Sequence, residues 1–222
     1  MSESAVGKRT RAKGLRNKKG QSLGSKGDRS RQRIIDGTSE LLKTTNVWDI
    51  GVTDICSTCE IAPSNLYTYF KGVEEVILAL SEQVVEKCPP LVDIAEGSWS
   101  GRAGLMRARR FVNAAFDYWD AYRPVLKVIE LFGDQDNHAF AQLRRRRLWP
   151  IYDALRPIVL QAQEEGRLNA KMDPGVMVFS AYGLIEAAAM HVPQILLEGY
   201  SYERLRETHA RILIQNLTGV ST

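Results

Sequence analysis

Val52-Thr53-Asp54-Ile55-Cys56-Ser57-Thr58-Cys59-Glu60-Ile61-Ala62-Pro63-Ser64-Asn65-Leu66-Tyr67-Thr68-Tyr69-Phe70 is the stretch whose reading decides the fold. It predicts two short helices, about 52–58 and 63–70, joined by a tight turn. Pro63 suits the first position of a helix, where its missing N–H is not needed and its fixed φ already matches. Val52, Ile55 and Cys59 supply the packing face of the first helix, and Ile61 supplies the turn. Leu66 and Phe70, four apart, share one face of the second. That leaves Ser64, Asn65, Thr68 and Tyr69 turned away from the packing face. Tyr67 and Tyr69, two apart, cannot share a helical face, so at least one points outward.

Upstream, an amphipathic helix is predicted over about 28–45. Ile34, Thr38, Leu41 and Leu42 recur at helical spacing and Ile35 broadens the stripe. Asp28 can cap its start, and Asn46 suits a left-handed stop. Downstream, Gly72 precedes a helix from 73 to about 87, which Pro89-Pro90 ends. Further helices are predicted near 102–121, 124–131 and 136–165, from Asp173-Pro174 to about 197, and over 201–217. Ser201 is read as the N-cap of the last and Gly219 as its stop. Pro150, Pro157 and Pro193 are places where these helices can kink or split. No sustained period-two run and no Asn-Gly turn argues for strands. The predicted fold is all-α: an N-terminal three-helix helix-turn-helix head and a C-terminal helical bundle.

The 222 residues allow one large domain or a small and a medium one, and 44% apolar content can form a core. No apolar run approaches the roughly 18 residues of a membrane span, and the opening MSESAVGKRTRAKG lacks the apolar centre of a secretory signal. A soluble, cytoplasmic protein with no membrane partner is expected. Charge is unevenly placed. Residues 1–33 hold eleven Lys and Arg against two acids, so they carry +9 of a net +4 and leave −5 for the remainder. Residues 1–27, rich in glycine and cations, cannot bury enough surface to offset ordering entropy and are expected to be a disordered basic arm. Such an end fits either a polyanion partner or a solvated tail.

Two short helices and a tight turn are the elements of a helix-turn-helix, whose second helix enters the DNA major groove. Short polar side chains there reach base edges: Asn pairs with adenine, and Thr can touch the thymine methyl. The stretch resembles the DNA-binding domain of the TetR family of bacterial regulators. The resemblance is carried by Ile34-Ile35-Asp36, Leu41-Leu42, Asp54-Ile55, Ile61-Ala62-Pro63, Leu66-Tyr67, Tyr69-Phe70-Lys71 and Glu74-Glu75, and covers residues 30–80. It implies that Thr53, Pro63, Ser64, Asn65 and Thr68 face bases and that Tyr67, Tyr69 and Lys71 hold phosphates. The chain departs from the family pattern at four places. Glu60 replaces the usual turn Gly, Ala62 the usual capping Ser, Gly51 the usual Thr, and Val73 the usual Lys. The expected organisation is a basic arm (1–27), a helix-turn-helix domain (28–75) and a ligand-binding and dimerisation domain (76–222).

By the same resemblance, the chain is expected to be a homodimeric transcriptional repressor. It would bind a near-palindromic double-stranded DNA operator and be released by an unknown small, largely apolar effector; activation is the alternative outcome. The middle helices would bound the effector pocket, with Phe111, Phe116, Trp119, Trp149, Tyr152, Phe179 and Tyr182 as candidate lining. Packed core is the other reading of the same residues. The penultimate helix, with Ala187-Ala188-Ala189, and the last, with Leu205, Ile212, Leu213 and Leu217, would form the dimer interface or else complete a monomer core. Arg144–Arg147 sweep a full helical turn and read as solvated or ion-paired surface, with a clamp for an acidic ligand group as the second reading. Cys56-x-x-Cys59 lacks the further ligands of a zinc site and reads as packing. No nucleotide loop, nucleophile motif or metal cluster is seen, so no enzyme activity, cofactor or metal is expected.

Overall fold

The computed structural model describes residues 25–135 and 137–220; most of the predicted basic arm, residues 1–24, lies outside them. The described residues form helices and no strand. They are α1 (Ser25–Leu41), α2 (Val52–Thr58), α3 (Pro63–Tyr69), α4 (Val73–Glu86), α5 (Leu91–Ala95), α6 (Gly101–Asp134), α7 (His138–Glu164), α8 (Pro174–Met190), α9 (Val192–Leu197) and α10 (Tyr202–Thr218), with a 3₁₀ turn at Val47–Asp49. The all-α expectation holds. None of these helices is long and apolar enough to cross a membrane. The chain divides into two compact units between Leu80 and Ser81.

The first unit is built on one buried stripe. Ile34, Ile35, Ile55, Cys59, Leu66 and Phe70 are all buried. Thr38 joins them because its hydroxyl donates to the Ile34 carbonyl at 2.9 Å, which satisfies its polar atom inside the core. Leu41 and Val52, expected in the same stripe, are only half-buried. Gly37 lies within α1, where glycine is a poor helix former, and packing explains it. A Cβ there would stand 2.3 Å from the Cys59 sulfur, so only glycine lets α1 and α2 approach so closely. Cys59 donates in turn to the Arg33 carbonyl at 3.4 Å. Cys56 and Cys59 are both buried as free thiols, in keeping with a packing role.

Three details differ from the sequence reading. Helix α1 starts at Ser25, so Asp28 sits in its first turn rather than at its cap. A carboxylate there still favours the positive helix end. Asn46 is extended (φ −64°, ψ 141°) instead of left-handed, and its side chain accepts from the Trp48 N–H to start the 3₁₀ turn. The left-handed residue of this region is Glu60, at φ 50° in the turn between α2 and α3.

In the second unit α6, α7, α8 and α10 pack on one another, and α5 packs on α6 and α7. Phe111, Phe116, Trp119, Phe140, Leu155, Tyr182 and Leu213 form the buried centre. The predicted helices 102–121 and 124–131 run on as α6, with one non-helical residue, Tyr122 (φ −129°, ψ 16°). The break puts Pro124 in the first turn of the second rod, where its missing N–H is harmless. The same device divides the predicted helix 174–197. His191 leaves helical geometry and Pro193 opens α9. Pro150 and Pro157, in contrast, lie inside α7, which stays a single helix. Ser201 caps α10 by accepting from the Arg204 N–H, and Gly219 ends it at φ 71°, both as expected.

Candidate functional site

The helix-turn-helix presents a polar face. Ile55, Cys59, Leu66 and Phe70 are buried, whereas Thr53, Pro63, Ser64, Asn65, Tyr67, Thr68 and Lys71 are exposed and Tyr69 is half-buried. Tyr67 keeps 47% of its surface exposed, so it is the tyrosine of the pair that points outward. The Thr68 hydroxyl donates to the Ser64 carbonyl at 3.0 Å, which occupies its proton. The guanidinium of Arg31 lies 4.9 Å from the Phe70 ring centroid and covers its outer side. Ala62 gives α3 no side-chain cap. At α2, where Gly51 replaces the usual threonine, Asp54 reaches back and accepts from the Gly51 N–H at 2.8 Å. That supplies half of a capping box without a capping side chain. Trp48 is 59% exposed just before α2; Val47 and Ile50 beside it are apolar too, so the sequence gives no sign of which of them faces outward.

The second unit holds an open cavity of about 650 Å³ between α6, α7 and α8. Trp149, Tyr152 and Phe179 form its aromatic wall, with Leu148 and Met190 beside them. The rings meet edge to face: Trp149–Tyr152 and Tyr152–Phe179 centroids are each 5.8 Å apart. Of the seven expected lining residues, these three are brought together at the cavity. Phe111, Phe116, Trp119 and Tyr182 are fully buried and stand outside the lining. Phe111 and Tyr182 back the wall through Tyr152, whose ring lies 6.0 Å from that of Tyr182. Phe116 instead packs against Tyr202 and His209 of α10.

Charged groups share the lining of the cavity: Glu130, Asp134, Arg144, Arg145 and Glu186. Behind them lies Arg147, with a fully buried side chain, 2.7 Å from both Glu130 and Glu186. Glu186 also accepts from the Trp119 indole N–H at 3.1 Å. Burial alone would lower Arg147, but the carboxylates outweigh it, Glu186 above all, and hold the guanidinium charged. Burial pushes Glu130 up, and Arg147 only partly offsets this. Tyr152 is pushed up to about 12 by burial and by Glu186, so it stays a neutral hydroxyl. The Arg144–Arg147 run therefore divides. Arg144 pairs with Asp134 and, at 3.6 Å, with Glu130. Arg145 lies 4.3 Å above the Trp149 ring, and Arg146 is exposed. The burial of Arg147 escapes a reading of the sequence; its only trace there is its place four residues after Leu143 and four before Ile151 on the packed face.

A chain of this build, with a short helix-turn-helix unit followed by a helical unit that contains a cavity, has the architecture of a one-component transcription regulator. The chain belongs to the TetR family: residues 91–221 match the family described as Tetracyclin repressor-like, C-terminal domain. A comparison with curated protein sequences gives no match. Among solved structures, the MbdR regulator from Azoarcus sp. CIB is similar at TM-score 0.63 and 14% identity, covering 87% of this chain and all of that one. The transcriptional regulator FadR from Bacillus subtilis, solved in complex with stearoyl-CoA, is similar at TM-score 0.59 and 17% identity, covering 85% and 98%. A TetR/AcrR-family regulator from Thermobifida fusca is similar at TM-score 0.56 and 19% identity, covering 84% and 97%. At these identities the likeness is one of fold.

Proposed function

We propose that this chain is a ligand-responsive repressor that reads a near-palindromic operator through α3 and leaves it when a small molecule fills the cavity between α6, α7 and α8. The observation that carries the reading is the division of α3. Leu66 is buried while Pro63, Ser64, Asn65, Tyr67 and Thr68 are exposed, so the helix is anchored on one side and offers polar groups on the other. In this reading Thr53, Pro63, Ser64, Asn65 and Thr68 meet base edges. Tyr67, Tyr69 and Lys71 hold the backbone, and the basic arm adds sequence-independent attraction. The aromatic wall supports an apolar ligand body; a neighbour in fold, FadR, was solved with stearoyl-CoA. Two copies would pair through α8, where Val176 and Leu184, eight apart and so on one side of the helix, are 61% and 48% exposed. The apolar residues Leu213 and Leu217 of α10 are already buried within the single chain.

The test is selection of DNA from a random pool by the purified protein, followed by Asn65→Ala on the selected site. Removal of a base-specific hydrogen bond is expected to cost about 1–3 kcal/mol at one position. Tyr67→Phe and Lys71→Ala are expected to weaken all sequences alike, since phosphates carry no sequence information. An Asn65→Ala protein that binds the selected site as wild type does would refute the assigned reading face.

A further inference from the structure

A second, smaller cavity of about 220 Å³ lies where the end of α4 and the start of α5 meet α7. Val85, Leu91 and Ile151 give it apolar walls, which Pro89, Pro150 and Cys88 extend. Arg147 borders this cavity and not the larger one. Its side chain is fully buried, and its Nη2 lies 2.7 Å from a carboxylate oxygen of both Glu130 and Glu186. Its Nε and Nη1 have no hydrogen-bond partner among the described residues. The guanidinium stands close enough to the wall for its charge to act on the Cys88 thiol, where it works against the effect of burial.

Buried N–H donors without an acceptor are costly, and inside proteins they are nearly always met by one. No side chain of the wall meets these: Glu86, the one carboxylate in the lining, is exposed. What the cavity lacks is an acceptor and not a negative charge. Glu130 and Glu186 already balance Arg147, and a third carboxylate would have to give up its hydration in an apolar space to join them. A cation would meet Arg146 and Arg147 in the lining. Water would serve the N–H groups but not the apolar walls; a carbonyl on an apolar body serves both.

We propose that this cavity is a second ligand site, which takes a small uncharged molecule whose carbonyl oxygen accepts from Arg147 while its apolar body lies against Val85, Leu91 and Ile151. The assignment does not depend on reading the larger cavity as the effector site.

The experiment uses the full chain and three probes of one shape: benzamide, benzoate and benzamidinium. They are titrated by nuclear magnetic resonance on the arginine Nε–H signals, with the Arg147 signal identified as the one missing from Arg147→Lys. Benzamide is expected to shift that signal and to bind about tenfold more tightly than benzamidinium, which has no acceptor oxygen; benzoate is expected to bind more weakly than benzamide. Arg147→Lys, which keeps the charge and loses the Nε and Nη1 donors, is expected to erase most of the preference for benzamide. Should that variant fail to fold, Cys88→Leu, which narrows the cavity and leaves Arg147 in place, serves instead: benzamide affinity is expected to fall about tenfold or more. Benzoate binding as tight as benzamide overturns the assignment to an uncharged ligand. Benzamide binding that leaves the Arg147 signal unmoved, or that ignores Cys88→Leu, places the probe elsewhere and overturns the proposal. Binding by none of the three at millimolar concentration overturns it too, and in each case the reading of the larger cavity stands.

Discussion

Gly37→Ala tests the packing of the helix-turn-helix unit by sign as well as size. On a bare helix the change would stabilise by about 1 kcal/mol, the ordinary difference in propensity between Gly and Ala. In this structure the new methyl would lie 2.3 Å from the Cys59 sulfur and 3.6 Å from the Thr58 methyl. Non-bonded heavy atoms prefer about 3.5–4.0 Å, so the sulfur must move by roughly 1 Å or more. It is buried and already donates to the Arg33 carbonyl, so moving it disturbs a second interaction. Overpacking of this kind costs about 1–3 kcal/mol. Net destabilisation of about 0–2 kcal/mol is expected once the propensity gain is subtracted. Cys59→Ala removes the obstructing atom, and in that background Gly37→Ala is expected to stabilise instead. Urea unfolding of the four proteins gives the coupling directly, with about 1–3 kcal/mol expected between the two sites. Equal stabilisation by Gly37→Ala in both backgrounds, that is, no coupling, would refute the close approach of α1 and α2.

Three further outcomes follow from the same structure. Removing residues 1–24 takes away seven cations and one acid; DNA affinity should fall and the log-affinity against log-salt slope should become shallower by about 0.9 for each phosphate no longer neutralised, whereas an unchanged slope would mark the arm as passive. Leu184→Glu places a charge on the exposed apolar face of α8 and should shift sedimentation towards monomer with little change in helix content; an intact dimer would move the interface elsewhere. Burial pushes the Cys88 thiol up to about 11 from 9.0, so its thiolate fraction at pH 8 is about 100-fold lower than that of a free thiol. Alkylation at pH 8 should be slow and should rise until the pH passes that value, and fast alkylation at pH 8 would contradict the half-buried, desolvated setting.

The head is legible in the sequence because its pattern is local. Leu66 and Phe70 stand four apart and Pro63 opens the helix, so spacing alone separates the buried from the exposed side of α3. Gly37 cannot be read in this way, since its partner Cys59 is brought close only by the turn between helices. The 3₁₀ turn and the five-residue α5 escape because each is too short to show a period. In the second unit the aromatic residues can be named but not sorted. Trp119, Phe111 and Tyr182 differ from Trp149 and Phe179 only in which way α6, α7 and α8 turn them. Arg147 shows the limit most plainly: beyond its spacing from Leu143 and Ile151, a charge in a run of four arginines gives no sign of burial until two carboxylates from other helices meet it.

Glu60 carries a consequence for how readily this regulator can change. A left-handed backbone at a non-glycine residue costs roughly 1–2 kcal/mol, and the exposed pair that Glu60 makes with Arg33 at 3.3 Å returns at most about 1 kcal/mol. Glycine at that turn would remove the strain without altering any side chain of α3. Substitutions that alter what α3 reads tend to lower stability, as most substitutions do, and small folded units have little to lose. In laboratory evolution towards new operators, Glu60→Gly is therefore the change to install first: it widens the set of reading-face variants that still fold while leaving their choice of DNA to α3 itself.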